Sequence, residues 1–142
     1  MLSSDLQQLQ RIRDDCSGIM QTVDRFGKSY DSFQSDTAYQ RAIAFDFLQI
    51  GEHIGKLSRE YRYATKYMMW GFRRLATQIV TYGDMYLEDI WEIVELDIPP
   101  LKKFCEEQLA QAGADMANFV AAAGKVQIDS DAVDKLRHES MI

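Results

Sequence analysis

Few side chains in this chain are suited to chemistry, and those that are lie in three places. Arg73 and Arg74 stand together in the run Phe72-Arg73-Arg74-Leu75-Ala76-Thr77-Gln78-Ile79-Val80-Thr81-Tyr82, which closes on a tyrosine followed by Gly83 and Asp84. His53 follows Glu52 some twenty residues earlier, and the second histidine, His138, lies close to the last residue. A guanidinium offers a fixed fork of donors for phosphate oxygens, and an imidazole titrates near neutral pH, so it both takes and gives a proton. A phenol, protonated at neutral pH, serves as a group acceptor once a base or metal lowers its barrier. These types together suit proton transfer at a phosphodiester, or transfer of a nucleotide to a hydroxyl. Leu75, Ala76 and Val80, which occupy the helical run between the arginines and Tyr82, can do neither.

The rest of the composition bounds the setting. The chain has 142 residues, 46% of them hydrophobic and 27% charged, values ordinary for one globular domain with a cofactor-free core. No run approaches the roughly 20 apolar residues of a membrane span, and the start MLSSDLQQLQ has neither a basic nor an apolar leader region, so a cytoplasmic protein is expected. Cys16 and Cys105 lie far apart and without metal-ligand spacing, which predicts buried thiols and no metal site. A net charge of −6 argues against a protein built mainly to grip nucleic acid. The charges are nevertheless segregated. Lys56, Arg59, Arg62, Lys66, Arg73 and Arg74 face a single acid, Glu60, whereas the stretch from Asp84 to Asp97 holds six acids and no base.

Helices must position these groups, because apolar residues recur at steps of three and four throughout. Ser4 and Gln7 have capping-box spacing ahead of Leu9, Ile12, Cys16, Ile19 and Val23, a helix that Gly27 should end. After the polar connection KSYDSFQSD, Thr37 and Gln40 repeat that spacing before Ile43, Phe47, Ile50, Ile54 and Leu57, the clearest core stripe in the chain. Gly51 and Gly55 leave room beside it for a neighbouring helix. A third helix is expected from Lys66 to Tyr82 and a fourth through Leu87, Ile90, Trp91 and Val94, with a restart or kink between Asp97 and Pro100. Leu101, Phe104, Cys105 and Leu109 mark a fifth that Gly113 should close. Trp91 and the Met68-Met69-Trp70 cluster read as core or interface. The pattern predicts an all-α antiparallel bundle of about five helices over residues 1–112, with a partly helical extension over 113–142.

From about residue 5 to residue 111 the sequence resembles the HepT-like HEPN family of helical ribonuclease toxins. The parts follow the family order: LQRIRDDCSGIM, Tyr30-Asp31-Ser32-Phe33, Gln40 with Ala42-Ile43, Ile50-Gly51-Glu52, Leu57-Ser58-Arg59-Glu60-Tyr61, Tyr82-Gly83-Asp84, Trp91-Glu92-Ile93-Val94, and Asp97-Ile98-Pro99-Pro100-Leu101. In that family an Arg-Asn pair, three further residues, a histidine, one residue and a tyrosine form the catalytic motif. Here the pair falls on Leu75 and Ala76, the histidine on Val80 and the tyrosine on Tyr82.

The resemblance implies metal-independent RNA cleavage by family members, a homodimer whose motifs share a cleft, and a partner, the MntA-type minimal nucleotidyltransferase, which silences the toxin by adding AMP to the motif tyrosine. Valine cannot replace the general acid/base, whose loss costs roughly 100- to 10,000-fold in rate. The expectation is therefore a non-catalytic or weakly catalytic HepT-like partner of a nucleotidyltransferase, with Tyr82 as the modified residue. Two alternatives stay open: a ribonuclease using Arg74, Arg73 or His53 as substitutes on RNA, and a helical scaffold using its acidic face.

Overall fold

A computed structural model describes residues 3–72, 74 and 86–125 of the chain. Every regular element among them is helical, as expected. The order is α1 (Ser3–Phe26), α2 (Tyr30–Gln34), α3 (Thr37–Gly55), α4 (Arg59–Thr65), a 3₁₀ turn (Met68–Gly71), α5 (Leu87–Glu92), a π turn (Ile93–Asp97) and α6 (Ile98–Lys125). Contacts divide the chain into two units, Met1–Leu109 and Ala110–Ile142. No described helix is long and apolar enough to cross a membrane.

α1 and α3 form the centre of the first unit, and their sequences explain why. Leu9, Ile12, Cys16 and Ile19 on α1 and Ile43, Phe47, Ile50 and Ile54 on α3 are all fully excluded from water. Each set repeats at helical spacing, so each helix has one face that only another apolar face can satisfy. The two run antiparallel: Gln8 near the start of α1 meets His53 near the end of α3, while the Tyr39 hydroxyl at the start of α3 donates to the Gly27 carbonyl just past α1, at 3.0 Å.

The turn joining them is more structured than its polar composition suggests. Gly27 stops α1 at φ +124, and a Cβ there would meet the Ser32 Oγ at 2.6 Å, so no side chain fits. The expected connection contains α2, capped by Ser29, whose hydroxyl accepts from the Ser32 N–H. α2 buries Phe33 against the core. The expected Thr37/Gln40 capping box is also replaced. Asp36 is the N-cap, its Oδ1 accepting from Ala38 N at 2.9 Å and Tyr39 N at 3.2 Å, while Gln40 Nε2 donates back to the last carbonyls of α2, Phe33 O and Gln34 O. A carboxylate one residue earlier is the stronger acceptor, and the amide then closes the other helix end.

α1 is also tied to α4. Asp5, wholly buried, accepts from the Ser58 N–H at 2.7 Å and the Ser58 hydroxyl at 2.8 Å, and the Ser58 Oγ in turn accepts from Tyr61 N. Here the structure departs from the expected helix beginning at Lys66. α4 ends there, because Lys66 adopts φ 48 and ψ 35 and Tyr67 is extended before the 3₁₀ turn begins. A left-handed residue breaks the helical hydrogen-bond ladder. Phe72 and Arg74 are helical as expected, and residues 73 and 75–82 of that expected helix lie outside the described residues.

Aromatic rings fill the ends of the bundle. Trp91 stacks on Phe33 at 5.5 Å and meets Tyr39 edge-on at 6.2 Å, so it is core as expected. Tyr67 stacks on Phe104 at 4.1 Å, and Trp70 stands edge-on to both while donating its indole N–H to Thr65 Oγ1. Met69 is buried, but Met68 is 80% exposed, so the methionine pair divides between core and surface. The restart or kink expected at Asp97 to Pro100 takes the form of a π turn within continuous helical backbone, directly ahead of Pro99 and Pro100, whose missing N–H groups interrupt the α-helical ladder there. α6 does not end at Gly113. Flanking alanines offset the roughly 1 kcal/mol that glycine costs, and the helix continues to Lys125. Cys16 and Cys105 are buried free thiols, as expected.

Replacing Asp5 with alanine leaves the Ser58 N–H without its acceptor in a place closed to water. Asp5→Ala should lower the free energy of urea unfolding by about 1 to 3 kcal/mol. A loss below about 0.5 kcal/mol, the range of ordinary surface substitutions, would show that the α1–α4 tie contributes nothing.

Candidate functional site

Along the edge of the α1–α3 interface the apolar pattern gives way to a line of polar groups. Asp46 and His53 are seven residues apart on α3, and Gln8 and Asp15 are seven apart on α1, so each pair projects from one side of its helix. Antiparallel packing brings the lines together. His53 Nδ1 lies 3.2 Å from Gln8 Oε1, and His53 Nε2 lies 3.4 Å from Asp15 Oδ2. The second contact is close enough for attraction but is not aligned as a hydrogen bond, so Asp15 Oδ2 is buried without a hydrogen-bond partner among the described residues. Asp46 leans toward Gly18, where a Cβ would stand 3.8 Å from its Oδ2.

The electrostatics follow from this arrangement. Burial, then the charges of Asp46 and Asp14, push the Asp15 carboxyl up to about 7. Burial raises Asp46 as well. Burial lowers His53 below its usual value, Arg11 and Lys56 lower it further, and Glu52 alone opposes them. The two shifts run in opposite directions, and a carboxyl and an imidazole 3.4 Å apart compete for one proton. Chemically this is an acid/base pair with two cationic side chains, Arg11 and Lys56, in its field.

A second feature is a groove of about 420 Å³ lined by Met20, Val23, Asp24 and Lys28 of α1 and its end, with Trp91, Val94, Glu95 and Pro99 opposite. Its floor is apolar, and Lys28 is paired with Asp24 at 3.1 Å.

Of the residues singled out by sequence, His53 is the one that the structure places in a constellation. Glu52 is exposed beside it. Arg74 is exposed and has no hydrogen-bond or ion-pair partner among the described residues. Arg73, Leu75, Ala76, Val80, Tyr82 and His138 lie outside the described residues. Asp15, Asp46 and Gln8 were not singled out by sequence, although a signal existed: Asp15 stands next to Cys16 and Asp46 next to Phe47, charged residues at the margin of two apolar stripes. Burial also holds both thiols protonated, raising Cys16 and pushing Cys105 up to about 12, so neither is a nucleophile. The chain has no significant match among protein-family models, curated proteins or solved structures.

The raised Asp15 and the lowered His53 act on stability in opposite directions. Asp15 binds its proton more tightly in the folded protein, so its contribution is complete below about pH 4 and is lost as the pH rises through about 7. His53 is held neutral by the fold; its contribution is present above about pH 6.5 and lost as the pH falls through its lowered value. Asp15→Asn removes only the first. Its stability relative to the unmodified chain should rise by about 1 to 2 kcal/mol between pH 5 and pH 8, less than the full shift implies because solvent reaches the pair. A pH-independent difference in urea unfolding would refute the strained carboxylate.

Proposed function

We propose that this chain is a HepT-like component of a toxin-antitoxin-type pair, acting as a binding and nucleotide-acceptor protein for a minimal nucleotidyltransferase rather than as an efficient ribonuclease. The observation that carries this reading is the state of His53. Val80 stands at the family's histidine position, and His53 is the remaining histidine within the family-like span. Its Nδ1 meets Gln8 and its Nε2 lies 3.4 Å from the Asp15 carboxyl, in a seam that packs α1 against α3. To serve as general acid/base on RNA it would have to leave contacts that the fold uses. The net charge of −6 further weakens any grip on a polyanion. The all-α bundle and the order of sequence blocks from residue 5 to residue 111 support the family assignment, with a homodimer and a cytoplasmic setting as its corollaries. Tyr82 is the motif residue with chemistry left to offer, its phenol oxygen attacking the α-phosphate of ATP and releasing pyrophosphate.

Incubation with a nucleotidyltransferase encoded beside it, ATP and magnesium should add one or more AMP units, each about 329 Da on the transfer chemistry just given, to Tyr82 and none to the Tyr82→Phe protein. A formed complex in which Tyr82 stays unmodified by mass spectrometry would remove the acceptor role.

The Asp15–His53 pair favours a second reading, because a carboxyl that burial raises and an imidazole that burial lowers, 3.4 Å apart, are the ingredients of acid/base catalysis. On that reading the isolated protein cleaves RNA and arrests growth, and His53→Ala lowers cleavage roughly 100-fold or more. On the first reading, expression of the isolated chain is harmless and purified protein leaves RNA intact.

A further inference from the structure

Two faces of the first unit carry opposite charges that no ion pair among the described residues neutralises. Arg59, Arg62, Tyr63 and Lys66 follow the spacing i, i+3, i+4 and i+7, so they share one side of α4. The one acid of that helix, Glu60, lies at the margin of this side, and the other charged residues from Lys56 to Arg74 are all basic. Lys66 closes α4 in left-handed backbone and holds its ammonium 5.4 Å from the centre of the Tyr63 ring. Arg62 Nε is buried with no hydrogen-bond partner among the described residues. A cationic donor shut away from water without an acceptor is costly, and the acceptor that suits a guanidinium is an oxyanion.

The chain presents such groups elsewhere. Glu88, Asp89, Glu92 and Glu95 are all exposed on α5 and the π turn, and no base stands between Tyr86 and Asp97. The two faces do not reach each other within one chain. Trp91 of α5 packs on Tyr39 near the start of α3, whereas Ser58, the N-cap of α4, follows its end. The 19 residues of α3, at about 1.5 Å each, hold the faces roughly 28 Å apart, more than three Debye lengths of about 8 Å at physiological salt. Each face also exposes a tyrosine, Tyr63 at 75% beside the bases and Tyr86 at 78% beside the acids. Tyrosine and arginine are the types that anchor protein interfaces.

We propose that these faces meet between two copies of the chain packed side by side and antiparallel, Arg59, Arg62 and Lys66 of each against Glu88, Asp89, Glu92 and Glu95 of the other. Complementary patches at opposite ends of one body satisfy each other twice about a two-fold axis. A polyanion such as RNA would use the basic face alone and leave the acidic one without a role. This surface is separate from the motif cleft that the family resemblance implies for residues 75–82, so it does not rest on the function proposed above. A cleft dimer with both faces free would sink the proposal and leave that function standing.

Charge reversal tests it in the full chain. Arg59→Glu with Lys66→Glu makes both faces acidic, and Glu88→Lys with Glu92→Lys makes both basic; all four positions are exposed. Each double variant alone should self-associate about tenfold or more weakly in sedimentation, and an equimolar mixture should regain most of the parent affinity, since the faces again oppose. Carbodiimide treatment of mixed nitrogen-15-labelled and unlabelled parent chains should join Lys66 of one chain to Glu88, Asp89, Glu92 or Glu95 of the other. A parent chain that is monomeric at tens of micromolar overturns the proposal. So do variants that associate as the parent does, a mixture of folded variants that recovers nothing, and links confined to single chains.

Discussion

Ile12, Cys16 and Ile19 on one helix and Ile43, Phe47 and Ile50 on another are closed to water completely, and the first unit is hung on the contact between them. Each helix taken alone would expose a continuous apolar face. Pairing them removes it and fixes their direction, because the short turn through Gly27 and α2 permits only an antiparallel return. Once direction is set, residues at the margins of the two stripes have no choice of neighbour. Gln8 meets His53, and Asp15 comes between His53 and Asp46 in a space that favours uncharged groups. The polar seam is thus a consequence of the apolar one.

What could be read from the chain divides along the same physical line. Stripes at steps of three and four report burial directly, and the residues from Ile43 to Leu57 and around Trp91 sit where their spacing places them. Caps are harder to read, because several side chains compete for the same few N–H groups. Asp36 outcompetes Thr37, and Gln40 is diverted to the carbonyls of α2, an outcome decided by geometry across two helices. Gly113 misleads for a different reason: its cost is small, and the alanines around it outweigh it. The seam was the least legible part. Asp15 and Asp46 are 31 positions apart in sequence, and each alone resembles a solvated charge.

The aromatic groups divide the bundle between two ends. Phe26, Phe33, Tyr39 and Trp91 join α1, α2, α3 and α5 at one. Tyr61, Tyr67, Trp70 and Phe104 join α4, the 3₁₀ turn and α6 at the other, with the Tyr61 hydroxyl donating to Gln108. Large flat rings lose little rotational freedom on burial and cover much area, which suits joints where short helices have few residues to offer.

The π turn from Ile93 to Asp97 links these two ends, and its extra residue sets an angle. An α-helix advances about 100° per residue, whereas the π turn winds wider and absorbs one residue more than an α turn would hold. Removing one position within it would let the α-helix run on with Leu101 and Cys105 still facing the core, while the same deletion in the regular turns of α6 would rotate every later side chain by more than a quarter turn. The five-residue segment is therefore a place where the chain tolerates a change of length that the helices on either side of it do not.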